Sequence, residues 1–159
     1  MSLDGAYDDT NVFALILQGK LPCHRLWEDA ETLAFLDVNP QGRGHSLVVS
    51  KTSRARNILE IEPPALCAVM TTVKRVAIGL RAALRPDGLH VAQFNGGDTG
   101  QSVFHLHVHV VPRWKGKELG ILRYYDEEGR RADPVDLATL AAEVAPFVAA
   151  ADPSAPISP

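Results

Sequence analysis

Phe104-His105-Leu106-His107-Val108-His109-Val110-Val111 is the stretch on which the reading of this chain turns. Successive side chains of a β-strand point to opposite faces, so residues two apart share one. The alternation predicts a strand over 103–111, with His105, His107 and His109 in a row on one face. Leu106, Val108 and Val110 would enter a core on the other. Ser, Thr or Lys would serve a solvated face equally well, so three of the chain's six histidines on one strand ask for a chemical reason.

Working outward, Asn95-Gly96-Gly97-Asp98-Thr99-Gly100-Gln101-Ser102 is dense in turn formers and links this strand to another expected over 89–94. Upstream, Leu66, Val69, Met70, Val73, Ala77, Leu80 and Leu84 recur at steps of three and four, the period of one helix face. That helix is expected over 65–84, with Pro63 and Pro64 before it and Pro86 limiting it. Cys67 within it reads as a small core residue. Segments 24–28, 31–37 and 46–50 read as strands, the first two joined at Glu28-Asp29-Ala30-Glu31. Asp8, Asp9 and Thr10 offer caps for a short helix that Gly19 stops. Downstream, Asp133-Pro134 starts a helix bearing Leu137, Leu140, Ala141, Val144 and Val148, with Pro146 near its end.

Hairpin-length connections favour antiparallel pairing. The expected class is α+β: a five-stranded antiparallel sheet with one main helix packed near it, a short N-terminal helix and a C-terminal helical extension. Residues 1–10 are expected to be a flexible N-terminus, 11–114 the domain, 115–150 its C-terminal extension and 151–159 a loose tail.

A chain of 159 residues can bury a core without disulfide or metal staples. Its net charge of −3 draws it to neither nucleic acid nor membrane, and no partner of either kind is expected. Basic clusters at Arg54 and Arg56, at Arg113, Lys115 and Lys117, and at Arg130 and Arg131 have no aromatic stacking pattern interleaved with them. No run approaches the roughly 20 apolar residues of a spanning helix. The N-terminus lacks a basic and then apolar signal pattern, so a cytoplasmic location is expected by default. Cys23 and Cys67 form no Cys-x-x-Cys motif and read as reduced thiols.

The residues alone leave three readings of the histidines open. One is a solvated strand face. Another is zinc, which neutral imidazoles suit, with His45 as a fourth donor, although no acidic residue lies between Thr99 and Arg113 to balance the charge. The third is a nucleophile. Imidazole titrates near neutrality, so one ring nitrogen can attack phosphorus while the other keeps a proton and is oriented by an acceptor. A neighbouring imidazole can protonate the leaving group. The glycine-rich turn is neither a P-loop nor a Rossmann fingerprint. Its backbone N–H groups can still approach an anion, and Asn95, Gln101 and Ser102 add neutral donors.

His105-Leu106-His107-Val108-His109-Val110-Val111 resembles the HxHxHxx signature, x apolar, of the histidine triad superfamily. The resemblance extends over about residues 11–114. It takes in Val12-Phe13, Gly19-Lys20-Leu21-Pro22, Ala34 to Gln41, Gly44 to Val49 and Asn95 to Val111. It implies that His107 forms a covalent nucleotidyl-histidine while the carbonyl of His105 holds its Nδ1–H. His109 would hydrogen-bond the phosphate or leaving group, with His45 and His105 as buried support. Asp37 would accept from the ribose hydroxyls, Phe35 and Val38 would flank the base, and Asn95, Gly100, Gln101 and Ser102 would surround the α-phosphate.

The implied reaction is hydrolysis at the α-phosphate of purine nucleoside phosphoramidates or dinucleoside polyphosphates. It releases a nucleoside monophosphate and needs no cofactor or catalytic metal. The alternative is a non-catalytic nucleotide-binding module. The resemblance also implies a homodimer through helix 65–84 and the strand near 89–95. Some relatives carry a structural zinc, but here Asn11 to Ala14 contains no cysteine and Ser53 stands about where a ligating histidine would, so none is expected. Pro112 to Gly116 resembles the prolonged tails of branches other than the phosphoramidase one.

Overall fold

The computed structural model describes residues 3–116 and 131–156. In chain order the elements are α1 (Val12–Leu17), β1 (Arg25–Glu28), β2 (Thr32–Leu36), β3 (Ser46–Ser50), α2 (Pro63–Leu84), β4 (Gly88–Ala92), β5 (His107–Arg113) and α3 (Pro134–Ala150), with a 3-10 turn at Gly97–Thr99. The strands form one sheet in the order β1-β2-β3-β5-β4. Every neighbouring pair is antiparallel, giving the α+β class expected.

Alternation along the strands gives the sheet two unequal faces. Leu36, Val48, Val108 and Val110 meet α2 and α3 in the main core. Leu33, Phe35, Leu47 and Val49 occupy the other face, where Phe13 of α1 covers them. The register aligns Phe35, Leu47 and His109 in one cross-strand row and Leu33, Val49 and His107 in the next. The histidines therefore stand on the thinly covered face, beside an apolar patch.

β5 begins at His107 rather than at 103. Val49↔His107 is its last pair with β3, because Ser50 Oγ accepts the backbone N–H groups of Thr52 and Ser53 and turns β3 away. Residues 103–106 thus lose their ladder partner, and the Leu106 N–H goes to Ala55 O at 2.8 Å. β4 likewise stops at Ala92, paired with His109, instead of running to 94.

α2 begins two residues earlier than expected. Its prolines occupy the first turn, where a missing N–H costs nothing. Cys67 and Met70, expected inside, are exposed. Thr72 is buried in α2's inner face and its hydroxyl bonds that of Thr32 at 2.8 Å. α3 lies directly on α2 at Gly79, where an added Cβ would come within 2.5 Å of the Val148 side chain and 2.7 Å of its Cα. α3 continues through Pro146 to Ala150. Val144 and Val148 are fully buried there, and such burial stabilises by about 1.5–3 kcal/mol each, enough to offset a proline cost of roughly 3 kcal/mol.

At the N-terminus, Asn11 rather than Asp8, Asp9 or Thr10 caps α1, accepting from the N–H groups of Phe13 and Ala14. Ahead of it, the Leu3 carbonyl accepts from the side chains of Arg56 and Asn57. At the other end, Ala151 is buried and its carbonyl accepts from Arg75. The part of the expected C-terminal extension at 117–130, and residues 157–159 of the expected tail, lie outside the described residues. Among the described residues, no helix is long and apolar enough to cross a membrane.

Candidate active site

Hydrogen bonding assigns the proton on each of four imidazoles. A carbonyl only accepts and a backbone N–H only donates, so the partner decides which ring nitrogen is protonated. His107 Nδ1 lies 2.7 Å from the carbonyl of His105, so Nδ1 holds the proton and Nε2 is bare. His105 Nε2 donates to Ser50 O at 3.2 Å, leaving its Nδ1 to accept from the Tyr7 hydroxyl at 2.6 Å. The Gln41 N–H donates to His45 Nδ1 at 3.1 Å, so the His45 proton is on Nε2. That proton goes to His109 Nδ1 at 2.9 Å, which places the proton of His109 on Nε2.

His107 is only 5% exposed. The edge of the Phe13 ring packs against it at 4.9 Å between centroids, and the His109 ring lies equally close at 4.9 Å. Nε2 makes no hydrogen bond among the described residues. Phe94 flanks His109 at 5.3 Å.

Two loops set these positions. The Asn39–Gly44 loop returns the chain to His45 through Gly44, whose φ of +80° and closeness to Leu84 (2.7 Å from an added Cβ) both call for glycine. Arg113 Nη1 donates to Gln41 O at 3.0 Å and so anchors the peptide that holds His45. The second loop is the glycine-rich turn, and here the sequence expectation needs correcting. Gln101 is buried, and its amide is already spent: Nε2 on the carbonyls of Arg56 and Val103, Oε1 on the Gly96 N–H. Asn95 Oδ1 accepts from the Ile58 N–H and its Nδ2 donates to Gln93. Both residues shape the turn. Ser102 is exposed on it, and Gly100 closes the 3-10 turn through its N–H to Gly97 O.

Phe35 is buried beside Phe13, 5.6 Å between ring centroids, on the face of the histidines. Asp37, two residues on, shares that side, with Oδ2 3.5 Å from His45 Nδ1. Val38 lies just past the end of β2, half-buried, and packs against the main core as Leu36 does.

Burial dominates the electrostatics. It lowers the pKa of His109 to about 2, with the neighbouring imidazoles of His107 and His45 adding to the effect. His45 falls to about 3 through burial and then Arg113, and His105 to about 4 through burial against its bond to Ser50. His107 is also lowered by burial, opposed by its bond to the His105 carbonyl. Asp37 moves the other way, to about 6, because burial penalises its charge more than the Asn39 N–H stabilises it. Near neutral pH the four rings are neutral and His107 Nε2 carries a free lone pair.

Asp37, His45 and His109 bring one donor atom each within 4.8 Å of one another, as a metal site would. Both nitrogens of His45 and Nδ1 of His109 are, however, committed to the hydrogen bonds above, so an ion would have to break them. Cavities of about 300 and 650 Å³ border the Pro40–Gly44 loop. Neither is lined by His107 or His109.

A model of the HIT domain matches residues 18–116. The chain belongs to the HIT family. The Protein hit of Bacillus subtilis (strain 168) is 33% identical over 134 residues, covering 84% of this HIT chain and 91% of its own. The adenylylsulfatase HINT3 of Arabidopsis thaliana is 37% identical over 103 residues, 64% of this chain and 51% of that protein. The crystal structure of a Hit-like protein involved in cell-cycle regulation from Bartonella henselae, with an unknown ligand, superposes with a TM-score of 0.80 at 33% identity. It covers 90% of this chain and 99% of its own.

Tyr7, Phe13, Gln41 and Phe94 of this HIT protein touch the imidazoles but were given no site role from the sequence. Phe13 carries the same apolar signal as any inward position of a short helix. Gln41 acts through its backbone, which no side-chain pattern reports.

Proposed function

We propose that this HIT protein is a hydrolase acting at the α-phosphate of nucleotides, through a covalent intermediate on His107 Nε2. One observation carries the reading: the His105 carbonyl holds the proton of His107 on Nδ1, leaving Nε2 unprotonated and without a hydrogen bond among the described residues. The likeness to a protein named an adenylylsulfatase supports a nucleotidyl group as what is transferred.

In the first displacement the Nε2 lone pair forms the N–P bond and the bond from phosphorus to the leaving group breaks, its electron pair departing with that group. The imidazole becomes cationic, and its Nδ1–H bond to the carbonyl strengthens as it does. His109, with its proton on Nε2, donates to the leaving atom as negative charge develops there. Water then forms a P–O bond as the N–P bond breaks, its electron pair returning to Nε2 and the water's proton passing to solvent, which releases a nucleoside monophosphate and restores the neutral ring. Phe35 and Phe13 offer a wall for the base, Asp37 an acceptor for ribose hydroxyls, and Ser102 with the Gly100 turn donors for the phosphate. Purine nucleoside phosphoramidates are the preferred substrates and dinucleoside polyphosphates the second choice. The protein acts as a homodimer, for which the open edge of β4 and the exposed Val91 and Met70 provide surface.

The test is a paired assay of adenosine 5′-phosphoramidates with poor and good leaving groups on wild-type protein and His109→Ala. We expect monophosphate from both substrates with wild-type protein. The variant should lose about 100-fold on the poor leaving group and less than about tenfold on the good one. No monophosphate from the phosphoramidates or from a diadenosine polyphosphate would refute the hydrolase, and equal losses would refute the role of His109.

A further inference from the structure

The geometry points to Tyr7 as a positioning residue: through the His105 ring it aims the carbonyl that holds the proton of His107. This rests on the hydrolase reading above.

His105 lies outside β5, which starts at His107. No ladder bond orients the peptide unit between residues 105 and 106, although that unit supplies the acceptor on which the attacking tautomer depends. Three other bonds hold it. The Leu106 N–H donates to Ala55 O at 2.8 Å, His105 Nε2 donates to Ser50 O at 3.2 Å, and the Tyr7 hydroxyl donates to His105 Nδ1 at 2.6 Å. The Tyr7 bond is the shortest of the three and pins the ring from the side opposite Ser50. Without it, a single hydrogen bond, at Nε2, would orient the His105 ring.

Tyr7 is itself held. Its ring packs edge-on against His105 at 5.7 Å, and the Arg54 guanidinium lies 6.0 Å over it, paired with Asp9 at 3.0 Å. Burial raises the phenol's pKa, opposed by the Asn11 amide and by Arg54 and assisted by Asp9 and Asp8, so the hydroxyl remains a donor. The N-terminal arm that carries it crosses the site's supporting loops. Leu3 O takes the side chains of Arg56 and Asn57, and the Leu3 side chain comes within 3.4 Å of an added Cβ at Gly96 in the glycine-rich turn. The N-terminal arm thus braces the back of the nucleophile.

Tyr7→Phe removes the hydroxyl and keeps the ring. One buried neutral hydrogen bond corresponds to about a tenfold effect. We expect kcat for a nucleoside phosphoramidate to fall about tenfold with KM within about twofold of wild type, since no substrate-contacting group is touched. In histidine-¹⁵N-labelled protein without substrate, the His105 Nδ1 resonance should move downfield as its donor is lost, with His105 still protonated on Nε2. An unchanged His105 resonance overturns the hydrogen bond. A moved resonance with unchanged kcat overturns the positioning role, and so does a rise in KM that accounts for the whole loss. Wild-type protein without turnover would overturn the hydrolase reading and the positioning role with it, while the resonance reports the Tyr7 contact separately.

Discussion

His107→Ala is expected to lower turnover by about 10⁴-fold or more while nucleotide affinity stays within about tenfold of wild type. The size follows from the tautomers. Every other imidazole of the cluster is committed: His105 to Tyr7 and Ser50, His45 to Gln41 and His109, and His109 to His45 with its remaining nitrogen protonated. None can take over as attacker without breaking a buried hydrogen bond and moving a proton. Affinity should survive because Phe35 and Asp37, on β2 and just beyond it, do not depend on the His107 ring for their positions. Turnover measured alongside equilibrium binding of a nucleoside monophosphate checks both halves. A variant within about 100-fold of wild type would show that chemistry does not pass through His107. Lost binding would show that the ring is part of the nucleotide's seat.

The second large effect is on stability against pH. His45, His105 and His109 have folded pKa values near 3, 4 and 2, and His107 is lowered as well, against an ordinary value of 6.5. For each, the unfolded chain binds a proton below about pH 6.5 that the folded chain refuses. Stability is therefore full above that pH and is lost as the pH falls toward the folded values. Each imidazole adds at most about 1.4 kcal/mol per pH unit to the slope. Asp37 runs opposite: between its ordinary 3.8 and about 6 the folded chain keeps a proton that the unfolded chain has released, which offsets part of one imidazole. Four groups against one leave a steep net loss. Urea midpoints should fall by several kcal/mol equivalents between pH 7 and pH 5. A flat or rising midpoint over that interval would mean that the rings are not held neutral by burial.

Much of this was legible because a strand's period of two is strict. The alternation of Leu106, Val108 and Val110 against His107 and His109 assigned the faces correctly, and the short connections pointed to the antiparallel sheet. The rule stops with the strand: β2 ends at Leu36, so alternation says nothing of Val38, whose expected base contact came from resemblance. Where β5 begins was not legible, since it depends on where β3 turns away through Ser50, over 50 residues earlier in the chain. Gln101 and Asn95 show a different limit. Residue type reports that a side chain can hydrogen-bond, and only the fold reveals that its capacity is already taken by the backbone of the turn. Tyr7 reaches His105 across 98 positions, from an arm whose polar composition suggests an unattached end.

The most direct measurement of the central claim is a rapid-quench experiment with a nucleoside phosphoramidate, followed by mass spectrometry of the digested protein. The account predicts an acid-labile nucleoside monophosphoryl group on His107, formed and consumed at rates compatible with turnover. Turnover without an adduct, or an adduct on any other residue, would contradict it.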